Sequence, residues 1–231
     1  MFIGKESILI QIPVYMVIGL LAGFSTVTVF NRIPAKWLCD YDEDPDDELW
    51  SERISRLPWS LVFSFLFIGT GFLMSNKEII YQIAGFPALW LLLLIAIADK
   101  KYMVIPDQFV IGLAITSIGF IPYQTHILSA LLGALTGSGC FLIVVLIGRL
   151  IVKRDAMGFG DVKLIGVVGL MTGLKGMIAV LLITVFSSGI VMVTMLALGK
   201  VKRSDEQPLG PFIAASAAIF IVFRQSILAY L

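Results

Sequence analysis

The sequence predicts an all-α fold, a polytopic membrane helical bundle of about eight transmembrane segments, and three observations lead there. Of its 231 residues 58% are hydrophobic and only 14% charged, where a soluble domain carries roughly a quarter, and its mean hydropathy is +0.97. The apolar residues gather in runs, several near the ~20 residues with which a helix crosses the ~30 Å hydrocarbon layer. The charged residues collect between the runs. Open sheet edges cannot face lipid, so the runs are helices.

Breaks at charges, prolines and glycines place the spans at 8–31, 59–75, 79–98, 108–122, 126–148, 161–173, 176–199 and 210–230. The first run has neither a basic leading region nor a small-residue cleavage site, so it reads as a retained span. Small residues in the fifth, Gly133, Gly137, Ser138 and Gly139, suit close helix packing. An even number of spans puts both termini on one side. The loops after spans 1, 3, 5 and 7, with Lys163 just inside span 6, hold thirteen of the 17 Lys and Arg residues; Lys5, Lys77, Lys175 and Arg224 lie opposite. The positive-inside rule makes the richer side cytoplasmic and both termini external.

Composition excludes several classes. A net charge of +1 with no basic cluster offers nucleic acid nothing to bind. Cys39 and Cys140 lie far apart in different settings, which implies neither a disulfide nor a zinc site. The single histidine, His126, falls on the outer side, away from the cytoplasmic acids, so no Ser-His or Cys-His system forms with them, and HExxH is absent.

The acids carry the chemistry. Half of the sixteen sit in the first long loop, including Asp42, Glu43, Asp44, Asp46 and Asp47; four others, Asp99, Asp107, Asp155 and Asp161, flank spans on the cytoplasmic side. Asp99 ends the run LLLLIAIA, where a carboxylate opposes the helix macrodipole. Asp161 precedes Lys175 by 14 residues, about 21 Å of helix, which places it roughly 10 Å below the cytoplasmic edge of the hydrocarbon. An acid so placed is a functional hypothesis by default, although Asp161 also suits an ordinary helix N-terminus. Asp107 follows Pro106 at the start of a span and reads as a cap or a support for the site. Asp155, beside Lys153 and Arg154, reads as a solvated charge. Gly158 and Gly160 remove side chains where the backbone turns tightly or approaches a neighbour. Lys100, Lys101 and Lys163 adjoin the acids and either snorkel to headgroups, bind lipid phosphate or hold the acids ionised.

Two carboxyl groups held close share one proton. One then acts as general base on water while the other protonates a scissile carbonyl, without metal or covalent intermediate. Acids lining a cavity equally suit a proton or cation relay in a small transporter or assembly scaffold, although no repeat with paired broken helices is evident.

DKKYMVIPD at 99–107 and GFGD at 158–161, followed by VKL, resemble the bacterial type IV prepilin peptidases, GxGD-type aspartyl proteases of the inner membrane. Asp161 lies 62 residues after Asp99, which fits that pattern. GFSTVTVFNRIP at 23–34 is similar to the family's GSFLNVVIxRLP, and PLGPF at 208–212 to its P-x-G-P-F. The resemblance implies that Asp99 and Asp161 are the catalytic pair, that Asp107 is not catalytic, and that residues 79–231 form the protease core. Residues 1–78, with two spans and an acidic loop, correspond to a reduced methyltransferase-like region. It further implies cleavage of prepilins or pseudopilins on the cytoplasmic side, after a glycine that ends a short basic leader. Bifunctional members then methylate the new N-terminus with S-adenosylmethionine; the peptidase step needs no cofactor.

The chain departs from that pattern in its first loop, shortened to about 27 residues, where Cys39 stands alone in place of two CxxC pairs. Val27 occupies the motif's Asn position and Phe24 its Ser position. No metal is expected, and methylation stays open. The acids Asp42, Glu43, Asp44, Asp46 and Asp47 either attract the basic leader or simply keep the loop solvated. Presenilin-like proteases share GxGD but pair it with YD and PAL motifs; here Asp99 follows alanine and the last span has no PAL.

Overall fold

The computed structural model describes residues 5–39, 53–152, 158–202 and 207–230, and among them every regular element is helical. The α-helices are α1 (Lys5–Arg32), α2 (Arg56–Met74), α3 (Ile79–Tyr102), α4 (Asp107–Ser117), α5 (Ile127–Val152), α6 (Phe159–Ala197) and α7 (Gly210–Ala229), with 3-10 turns at Ala35–Trp37 and Ile118–Tyr123. All but α4 contain a stretch long and apolar enough to span a membrane, and α4 with its following turn makes a shorter apolar helix, Asp107–Tyr123. Two compact units divide the chain, Met1–Gln82 and Ile83–Leu231.

In the first unit α1 and α2 pack antiparallel, with Tyr15 against Gly71 and Gly23 against Ser64. The Tyr15 hydroxyl donates to Gln82 Oε1 at 2.9 Å. The end of α1 is met by side-chain hydrogen bonds from the far side of the loop. Arg53 donates to the Phe30 and Ile33 carbonyls at 3.0 Å each. Asn31 exchanges two hydrogen bonds with the Ile54 backbone, 2.8 and 3.0 Å long.

In the second unit the 39 residues of α6 would extend about 58 Å if straight, twice the hydrocarbon thickness. They do not run straight. Gly173 has φ 70° and ψ 178°, a backbone conformation that glycine alone adopts readily. A Cβ built on Gly137 would lie 2.9 Å from the Ile165 carbonyl oxygen and 3.0 Å from Met177 Sδ. Those atoms are therefore within about 6 Å of each other, where a straight helix would separate the two residues by about 18 Å. Two arms, 159–172 and 174–197, fold back on each other against α5. They correspond to the sixth and seventh spans read from the sequence, and with Asp107–Tyr123 the described residues hold about eight apolar helical segments.

The break leaves backbone groups that side chains satisfy. Gln124 Nε2 donates to the Leu170 carbonyl at 2.6 Å, and the Leu174 amide donates to Ser129 Oγ at 3.2 Å. Gly133 lies against the Gly169 carbonyl, and Ser138 fills the space beside Gly166. Gly139, expected to join this packing, faces open space. Buried Leu92, Leu94, Ile95, Leu164, Ile165 and Phe220 form the core, whereas Ile111, Ile115, Phe186 and Val193 are exposed, as lipid-facing positions are.

An alanine Cβ at Gly173 would lie 2.8 Å from Ser129 Oγ and 2.9 Å from Gln124 Oε1. Gly173→Ala will lower stability by about 1–3 kcal/mol, while Gly139→Ala leaves it unchanged or raises it. Thermal unfolding of the purified protein in detergent separates the two.

Candidate active site

Asp99 lies in the last turn of α3 and Asp161 is the third residue of α6. Their relative exposures are 5% and 8%, and no other Asp or Glu is buried among the described residues. The two carboxyls interact electrostatically. Each accepts from a backbone amide at the start of a helix. Gly210, the first residue of α7, donates to Asp99 Oδ2 at 2.8 Å. Gly158, the N-cap of α6, hydrogen-bonds the Asp161 carboxyl. Asp161 Oδ1 is buried and has no hydrogen-bond partner.

The Gly210 contact resolves the unfavourable placement of Asp99. A carboxylate at the C-terminus of α3 opposes that helix's dipole, but it meets the partial positive charge of the α7 N-terminus. Pro211 follows at the second helical position and brings no N–H that would need a partner. The approach demands glycine: a Cβ at Gly210 would lie 2.7 Å from Asp99 Oδ2 and 2.9 Å from its Cγ. The sequence reading quoted PLGPF but tied no residue of it to Asp99. A Gly-Pro pair opening an apolar helix was the available signal, because such an N-terminus exposes amides with nothing local to accept them.

The supporting residues fall into place unevenly. Gly160 lies close to Ile105, whose Cβ would be 3.1 Å from a Cβ added at 160. Gly158 has φ −68° and ψ 142°, values any residue adopts, and an added Cβ would meet only Asp161 Oδ2 at 3.7 Å. Pro106 is buried and caps α4, its carbonyl accepting from the Phe109 and Val110 amides. Asp107 is the first residue of α4 and not its cap: both its carboxylate oxygens accept from Lys163 Nζ at 2.9 Å. Lys163 thus bonds an acid on a neighbouring helix. Lys100 and Lys101 are exposed, and Lys101 lies over the Tyr102 ring. His126 is exposed at the head of α5. Asp42, Glu43, Asp44, Asp46, Asp47 and Asp155 lie outside the described residues, among which no group of three His, Cys, Asp or Glu residues is arranged to hold a metal.

The six long apolar helices define a multi-pass membrane protein, and two of its carboxylates, Asp99 and Asp161, are buried. The type IV leader peptidase family matches residues 86–193, a stretch that contains both acids. The leader peptidase HopD of Escherichia coli is 32% identical over 136 residues, covering 57% of this chain and 85% of that protein. The prepilin leader peptidase/N-methyltransferase of Stutzerimonas stutzeri is 26% identical over 145 residues, 61% of this chain and 49% of its own length. That of Bacillus subtilis is 26% identical over 142 residues, 61% and 55% respectively. The chain therefore spans about half the length of these two-activity relatives. No solved structure matches it. The chain belongs to the type IV leader peptidase family, a family of proteases.

Gly210→Ala will displace Asp99 or the head of α7 and lower stability by about 1–3 kcal/mol. Gly158→Ala, with room for its methyl, will change it little. Asp99→Asn keeps a carbonyl oxygen for the Gly210 amide and will unfold near the parent temperature; thermal melts of the three variants check the set.

Proposed function

We propose that this protein is a membrane-embedded endopeptidase that removes the basic leader from type IV prepilins or pseudopilins, with Asp99 and Asp161 activating water. The observation that carries this reading is the burial of these two acids together, with one Asp161 oxygen left unpartnered. A buried acceptor without a partner is costly, and a water or the scissile peptide would satisfy it.

Two neighbouring carboxyls share a proton because both cannot ionise at short range. The ionised member takes a proton from water as the water oxygen bonds to the scissile carbonyl carbon. The protonated member gives its proton to the carbonyl oxygen. As the resulting diol collapses, the acid that took the water proton gives it to the leaving nitrogen, the C–N bond breaks, and a diol hydroxyl returns its proton to the other carboxylate, which restores the pair. The amides of Gly210 and Gly158 hold the two acids throughout and favour whichever carries the negative charge. The peptidase step uses no cofactor.

The excess of Lys and Arg after spans 1, 3, 5 and 7 supports a site at the cytoplasmic face of the bacterial inner membrane, with both termini outside. A prepilin would meet it there, leader in the cytoplasm and apolar helix in the bilayer. S-adenosylmethionine enters only with methylation of the new N-terminus. The relatives named for both activities extend well beyond the matched stretch, and this chain has one cysteine where bifunctional members carry four.

Cleavage of a co-expressed prepilin-type substrate tests the reading. The parent will cut after the leader glycine, and Asp99→Asn and Asp161→Asn will each lose about 10²–10⁴-fold in rate while still inserting. Cutting that survives either change breaks the pairing; a parent that cuts no such substrate favours a proton or cation relay instead. Adding S-adenosylmethionine to the same assay and weighing the product reads methylation separately.

The acidic loop adds a salt-dependent expectation. Changing Asp42, Glu43, Asp44, Asp46 and Asp47 together to Asn or Gln will lower kcat/KM several-fold at low ionic strength and have little effect at high salt. Equal kcat/KM at low salt would remove the attraction.

A further inference from the structure

The seven residues that link Asp99 to Asp107 lead into contacts with the turn that presents Asp161. Just past Asp99, the Met103 amide donates to the Asp99 carbonyl at 2.9 Å and closes α3. Met103 does so with φ 57°, a left-handed conformation that a non-glycine residue adopts only under constraint from its surroundings. Ile105 then meets Gly160, and Pro106 opens α4. At the end of the link Asp107 receives Lys163 Nζ on both oxygens, 2.9 Å each. Lys163 stands two residues after Asp161, and its Nζ lies over the Phe159 ring, 5.5 Å from the ring centre.

We propose that Asp107 and Lys163 are a positioning pair that fixes the register between the segment leaving Asp99 and the turn carrying Asp161. The inference rests on the peptidase reading above for its catalytic consequence, though not for its structural one. The two side chains are 30% and 35% exposed. A pair that wet contributes little to global stability, so its leverage is geometric. The two-oxygen grip on one ammonium holds α4 against the first arm of α6, while Gly160 lets Ile105 close the remaining gap. The reacting carboxyls have little tolerance for drift: misplacement by about 1 Å can cost about a hundredfold in rate.

The test combines turnover with a distance readout that needs no turnover. Lys163→Met and Asp107→Asn will each lower kcat about 10- to 100-fold with KM unchanged, and Lys163→Arg, which keeps the pair, will retain most of the parent rate. In a background carrying Cys39→Ser and Cys140→Ser, Ile105→Cys with Gly160→Cys will form a disulfide on mild oxidation. Adding Lys163→Met will slow that bond several-fold. A raised KM with unchanged kcat would make the pair a substrate contact and overturn the proposal. Parental kcat with parental cross-linking would overturn it outright. If the parent cuts no substrate, the peptidase reading falls and the cross-linking rate alone decides whether the pair holds the two segments in register.

Discussion

The hydrogen bond from the Gly210 amide to Asp99 joins residues 111 positions apart, and much of the second unit exists to make it possible. An acid at the tail of an apolar helix is unwelcome twice, through its burial and through the helix dipole. The start of α7 answers both problems with one oriented N–H. That amide must arrive from elsewhere in the chain, which makes the position of α7 a condition for the site. Its place is set by packing on α6, where the Phe220 ring occupies the space beside Gly176. The second arm of α6 owes its direction to the reversal at Gly173. A glycine more than ten residues from either acid thus governs whether Asp99 has a partner.

The same reversal explains how one long helix serves two tasks. Its first arm carries Asp161 near its head and packs against α5 through glycines and Ser138. Its second arm carries no acid and supports α7. Gln124 and Ser129 bind opposite sides of the break, Gln124 donating to the Leu170 and Met171 carbonyls and Ser129 accepting the Leu174 amide. Neither side chain touches the buried acids, yet both keep the arms in the arrangement that brings Asp161 and Gly210 toward Asp99. In an apolar medium such uncapped backbone groups would cost several kcal/mol each, so two polar residues at the break are a structural necessity.

Much of this was legible in the sequence, because lipid imposes simple rules. Runs of apolar residues set the helices, and scarcity of buried charge made Asp99 and Asp161 conspicuous. The order of DKKYMVIPD, GFGD and PLGPF marked the family. Contacts made by backbone atoms were not legible, since an amide leaves no trace in residue type: Gly210 read as a motif letter and proved to be the donor to Asp99. Lys163 read as a neighbour of Asp161, two residues away. Helical geometry, however, turns residues i and i+2 away from each other, and its ammonium reaches Asp107 on another helix. Gly139 looked like its neighbours Gly133 and Gly137, but its direction on α5 leaves it facing open space. Composition gives the presence of a small residue and only the fold gives its facing.

The hydrogen bonds at the end of α1 carry a consequence for how this architecture can vary. Asn31 and Arg53 join the two ends of the first long loop, so the exit of α1 and the approach to α2 are fixed locally. Asn31 and Arg53 themselves close this end of the helix pair. The entropy of closing such a loop rises only slowly with its length. An extra module, a metal-binding insert or a bare acidic link can occupy the interval without disturbing the bundle. The loop is a socket: one membrane scaffold can gain or shed an accessory activity there by exchanging a single segment of chain.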